Sequence, residues 1–160
     1  MNRIFCILAI FSVFLVSLAW GATTAESPTV EPVEIVKAEF GLFNGPESGK
    51  PAFVPATIVP LEKDQCYGWI ILIKTNKEMV KWREEFTLPA PPETWGEGQK
   101  QGVSTISADK KTCVTEREVK PDQGIIYNIW SVAPGDPKGH YIIRVIVEGK
   151  AERTFEFDVK

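Results

Sequence analysis

The chain has 160 residues, 18 Lys and Arg against 21 Asp and Glu, a formal net charge of −3, one His and three Cys. That length holds one ordinary domain and excludes an elaborate multidomain enzyme, while 44% hydrophobic residues and five Trp suffice for the core of a domain that stands alone. The slightly acidic balance supplies no basic field for a phosphate backbone, so no nucleic-acid partner is expected.

The chain opens with Asn2-Arg3, an apolar run from Ile4 to Trp20 and then small residues, the order of a secretory signal peptide. Residues 1–25 are the expected leader, cut after Gly21 or Ala25, since both points place small residues one and three positions before the cut. The other reading of this run is an uncleaved anchor, although about 17 residues is the lower limit for spanning a bilayer. Arg3 is the one charge in the leader, so the exported chain is one unit more negative, and Cys6 leaves with the leader. The expected location is periplasmic or extracellular, with no membrane span after cleavage. Residues 26–32, rich in Pro, Ser and Thr, form a short tether, and residues 33–160 form the folded domain.

From Val33 onward, short runs with a period of two, rich in β-branched and aromatic residues, are bounded by Gly, Pro, Asn and Asp. The runs Glu34–Phe43, Ala56–Leu61, Cys66–Thr75, Val80–Leu88, Thr112–Val119, Gly124–Val132, His140–Glu148 and Ala151–Val159 predict an all-β, two-sheet β-sandwich of about 7–8 mostly antiparallel strands. No segment has the pattern of an amphipathic helix of three turns. The last two runs are the clearest. Tyr141, Ile143, Val145 and Val147 alternate with His140, Ile142, Arg144 and Ile146, and Glu148-Gly149-Lys150 holds the Gly that a tight hairpin needs.

Cys66 and Cys113 open or lie within two of these runs. Because oxidising compartments favour disulfides, export predicts that they are paired, closing a loop that would stabilise the fold by roughly 4 kcal/mol. Two Cys without C-x-x-C spacing and a single His140 make a poor zinc set, so no metal and no cofactor are expected.

In the run Val80–Leu88, Val80, Trp82, Phe86 and Leu88 share one parity, and Glu84 falls on that apolar face. If Cys113 points inward, Arg117 falls on the inner face of its own run. An isolated core charge costs several kcal/mol, so Glu84 and Arg117 are expected to form a structural ion pair. The alternatives are a charged recess that binds a ligand and a bulge that leaves both in water.

Catalytic patterns fare poorly. Glu84 and Glu85 are adjacent and point to opposite faces. Glu116 and Glu118 share a face about 7 Å apart, but they sit in TEREVK, which reads as a solvated strand. His140 follows a Pro/Gly turn at a strand start, with no Gly-x-Ser-x-Gly elbow and no phosphate-cradling loop in the chain.

The loop Pro89–Gln99 is stiffened by three prolines and carries Trp95, with Glu93 and Gln99 beside it. These three are the candidate ligand- or partner-binding residues, because a loop Trp can stack on a sugar ring or fill a protein pocket. The competing reading is that Trp95 folds back over the end of the sandwich. Trp69, Trp82 and Trp130 are expected in the core.

The stretches EIVKAEFGLF, CYGWIILI, SVAPGDPKGHYIIRVIVEGK and TFEFDV together resemble exported bacterial immunoglobulin-like β-sandwich domains of unknown function, over Val33 to Val159. The resemblance implies an immunoglobulin-like fold and export, and it carries no catalytic residues. The expected role is a non-catalytic binding or accessory module that recognises an envelope or extracellular protein through loops or a sheet edge. Carbohydrate binding through Trp95 is the alternative, and a hydrolase comes last.

Overall fold

The computed structural model describes residues 32–44, 52–95 and 103–160. The expected leader with its cleavage points and Cys6, tether residues 26–31, and Gln99 lie outside the described residues. In chain order the strands are β1 (Glu34–Asn44), β2 (Ala52–Pro55), β3 (Ile58–Val59), β4 (Cys66–Lys74), β5 (Val80–Thr87), β6 (Val103–Ile106), β7 (Thr112–Val119), β8 (Ile125–Ser131), β9 (Gly139–Val147) and β10 (Ala151–Val159). They form a first sheet in the order β2-β1-β4-β8 and a second in the order β3-β10-β9-β5-β7-β6. Pairings are antiparallel except where β3 lies parallel to β10.

Seven of the eight expected runs appear within about a residue of their predicted ends. The eighth, Ala56–Leu61, shrinks to Ile58–Val59, although the Leu61 N–H beyond Pro60 still donates to the Lys160 carbonyl at 2.7 Å. β2 and β6 were not expected. Both are four-residue strands that exist by pairing onto β1 and β7 rather than by any pattern of their own.

Alternation carries the fold. Tyr67, Trp69, Ile71 and Ile73 of β4 and Val80, Trp82, Glu84 and Phe86 of β5 are buried on the facing sides of the two sheets, as are Tyr141, Ile143, Val145 and Val147 of β9. In β1 a bulge between Ile35 and Lys37 turns Val36 into solvent and restores the parity that brings Phe40 inward. Phe40 then stacks on Phe157 across the sandwich, with ring centroids 4.1 Å apart. At the start of β9 the Tyr141 hydroxyl donates to the Pro137 carbonyl at 2.6 Å, the back-bonded tyrosine that closes corners of such sandwiches.

The β9–β10 hairpin turns through positive φ at Glu148 and Gly149. Glu148 tolerates this because its carboxylate is fixed there, accepting from the Lys81 backbone N–H at 2.8 Å and pairing with Lys77. These contacts hold the Glu148 carboxyl below the usual glutamate range, with the Lys77 hydrogen bond the largest influence.

Where β4 meets β8, the chains approach so closely that a Cβ at Gly68 would run into the Asn128 carbonyl oxygen. Gly68→Ala should therefore push β8 off its ladder and cost about 2–3 kcal/mol, read as a lowered urea midpoint with an unchanged slope. An unaltered midpoint would contradict this close approach.

Candidate functional site

Glu84 is the one fully buried acid among the described residues, with 0% of its surface exposed. It projects from β5 toward the first sheet, where Trp69 and Asn128 stand opposite each other on β4 and β8. The Trp69 indole N–H donates to Oε2, the Asn128 amide to both oxygens at 3.1 Å, and the Trp130 indole N–H to Oε1 at 2.8 Å. Burial pushes the Glu84 carboxyl above the usual glutamate range, opposed by these donors and by the nearby Arg117 charge. Every hydrogen-bonding neighbour is a donor, so the pattern is complete only for the carboxylate.

The expected Glu84–Arg117 ion pair is not formed. Glu84 has filled its acceptor sites with neutral donors from the other sheet. Arg117 lies opposite Trp82 in the β5–β7 register and places its guanidinium over that indole, 5.5 Å from the ring centroid. Arg117 Nε and Trp82 Nε1 are both buried without a hydrogen-bond partner. Asn128 was missed by sequence reasoning, although its position between Ile126 and Trp130 on the inward parity of β8 marks it as a buried polar group in need of a partner.

The expected Cys66–Cys113 disulfide is also absent: both are free thiols. Cys66 takes the parity opposite to Tyr67, Trp69 and Ile71 and so turns away from the core, its Sγ 3.5 Å from the Asp64 carbonyl. Cys113 points inward from the other sheet and is fully buried beside Thr115, and burial raises its thiol pKa. Two side chains on opposite sides of the first sheet cannot bridge.

At the end of the sandwich, Trp95 is half-buried. Its indole N–H donates to the Lys110 carbonyl at 2.9 Å and its ring meets Phe86 and Trp130 edge-on. A cavity of about 150 Å³ lies beneath it, lined among others by Tyr67, Trp95, Trp130 and Asp136. Glu93 is exposed and its backbone N–H donates to Gly135. Trp69 and Trp82 are core residues, and Trp130 packs partly buried against the core. His140 stands exposed on β9 between Asp158 and Glu156 of β10, and these carboxylates, Asp158 first, raise its pKa.

The outer faces of the sheets differ sharply. Across β5, β7, β9 and β10 run ion pairs joining Arg83 to Glu116 and Glu85, and Arg144 to Glu85 and Glu152. Across β4 and β8 the outward parity holds Ile70, Leu72, Ile125, Tyr127 and Ile129, with Tyr127 56% and Ile129 40% exposed. β8 is at the sheet edge, its one strand partner among the described residues is β4, and Ile125 at its start also bridges to Asp122.

Two outcomes test this description. Glu84→Gln is nearly isosteric but turns an N–H₂ toward donors, so it should cost about 2–4 kcal/mol in urea unfolding, with amides of β8 losing exchange protection before those of β9. Full stability in that variant would refute the carboxylate clasp. Iodoacetamide applied to the native, unreduced protein should label Cys66 and spare Cys113, with both labelled after unfolding. Two unreactive sulfurs in the unfolded, unreduced chain would restore the disulfide.

No curated protein matches the chain in sequence. Among solved structures, an immunoglobulin-like protein from Pseudomonas aeruginosa superposes with a TM-score of 0.55 at 17% identity, covering 81% of this chain and 98% of that one. The PmoD soluble domain from Methylocystis sp. reaches 0.42 at 16% identity, covering 77% and 90%. The first of these shows an immunoglobulin-like β-sandwich fold for this chain. Residues 38–160 match the PM0630 beta sandwich domain, and the chain belongs to that family.

Proposed function

We propose that this chain is an exported, non-catalytic accessory module that captures an extended segment of an envelope or extracellular protein along the free edge of β8. Its folding unit is residues 33–160, delivered by the leader over residues 1–25 to the periplasm or the outside of the cell. One observation carries the reading. Strand edges in natural proteins are kept short or blunted with charge or Pro. β2 is four residues ending in Pro55, β3 is two residues followed by Pro60, and β6 is four residues. β8, IIYNIWS, is seven residues with neither a charge nor a Pro, and its outward face is apolar. Such an edge offers unpaired backbone groups to an incoming strand and apolar side chains to its alternate residues.

Among the described residues, the acids weighed for catalysis, Glu84, Glu116 and Glu118, do not converge on one pocket, which supports a non-catalytic role. Glu84 faces inward, Glu116 and Glu118 are exposed, and His140 sits against different carboxylates two strands away from β7. Carbohydrate binding through Trp95 draws less support, because that ring is packed edge-on against Phe86 and Trp130 rather than presenting a free face.

A photoreactive residue at position 129, introduced in the producing cell, should give a discrete adduct with a second protein. Tyr127→Lys, which adds charge at an exposed position, should abolish the adduct while leaving the melting temperature unchanged. An adduct that survives Tyr127→Lys would refute edge capture. Glycan binding that is lost in Trp95→Ala would put carbohydrate recognition in its place.

A further inference from the structure

Arg117 and Trp82 hold two buried N–H groups that no acceptor among the described residues satisfies. Native proteins leave very few such groups unpaired, and each one calls for an explanation. The nearest core acid cannot supply it, since Glu84 is already engaged by Trp69, Asn128 and Trp130. Both side chains line openings to the outside. Among the described residues, β6 pairs with β7 as far as Glu116, and the Arg117–Val119 stretch of β7 continues beyond that pairing. A groove of about 530 Å³ runs between this stretch and β8, lined by Trp82 and Arg117 on one side and Tyr127, Asn128 and Ile129 on the other. An adjoining recess of about 550 Å³ shares Trp82 and Arg117. The unpaired donors therefore lie beside the strand edge described above.

We infer that Arg117 and Trp82 form a carboxylate-binding subsite. An acidic side chain or a terminal carboxylate of the segment captured on β8 seats against the guanidinium and accepts from the Trp82 indole N–H. The inference rests on the edge-capture reading and names the chemistry of its partner. A planar, singly charged carboxylate matches the guanidinium fork. A phosphate dianion fits less well, because Asp122, Glu116 and Glu118 line the same openings and Lys120 is already paired with Glu78 at 3.2 Å.

The test follows the Trp82 indole N–H resonance of the exported protein, assigned with Trp82→Phe, during titration with sodium acetate and with acetamide. Acetate should shift it, acetamide should not, and Arg117→Gln should remove the response. Arg117→Lys, which keeps the charge without the fork, should retain part of it. Three extended peptides of alternating Val and Thr then separate the sources of the carboxylate. One is end-capped with a central Glu, one is its Gln counterpart, and one keeps the Gln but has a free C-terminus. The Glu peptide or the free-terminus peptide should bind roughly tenfold more tightly than the capped Gln peptide, a margin lost in Arg117→Gln. An indole resonance unmoved by acetate, or equal binding of all three peptides, would overturn the inference. Equal binding that Tyr127→Lys abolishes would leave edge capture standing alone. A response to acetate with no peptide bound would support the subsite and remove edge capture.

Discussion

One carboxylate ties the two sheets together. Glu84 leaves β5 of the second sheet and ends among donors from two neighbouring strands of the first, Trp69 on β4 and Asn128 and Trp130 on β8. Apolar packing between sheets is tolerant of small slides, whereas hydrogen bonds to a buried charge have fixed length and direction. The pairing of Trp69 with Asn128 across β4 and β8 sets both donors at one level, and Glu84 meets them only if the sheets are aligned there. The clasp therefore specifies how the sandwich closes, while the aromatic contacts around Phe40, Phe86 and Phe157 supply the burial.

The same clasp explains how β8 can be both an edge and well anchored. On one side it has only the β4 ladder, and on its inner face Asn128 and Trp130 are held by Glu84. Among the described residues, its other edge beyond the Ile125–Asp122 bridge and its outer face are left uncovered. The contrast with the charge-laced outer face of the second sheet is chemical: ion pairs among Arg83, Glu85, Arg144 and Glu152 favour contact with water there, whereas Ile125, Tyr127 and Ile129 gain from being covered. Arg117, displaced from the acid it was expected to meet, adds a cation at the mouth of the groove beside that edge.

Much of this was legible in the residues because a period of two is hard to disguise. The β9–β10 hairpin and the inward set Val80, Trp82, Glu84 and Phe86 follow directly from alternation. The anomaly at Glu84 was legible as well, but its partners were not. Charge balance suggested Arg117, and the indoles of Trp69 and Trp130 read as core bulk rather than as donors. Choosing between them depends on which strands face each other across the sandwich, a matter of sheet order rather than local pattern. The disulfide failed for the opposite reason. Export favours disulfides in general, but in β4 Cys66 alternates against Tyr67 and Trp69 and so faces outward. Short β2 and β6 carry no pattern because their pairing partners create them.

The most direct measurement of the clasp is hydrogen exchange at the indole nitrogens of the native protein. If Glu84 holds the Trp69 and Trp130 N–H groups as described, both protons should exchange only when the sandwich opens, with Trp69 tracking global unfolding. Exchange of the Trp69 indole proton at the rate of a solvent-exposed indole would contradict the account.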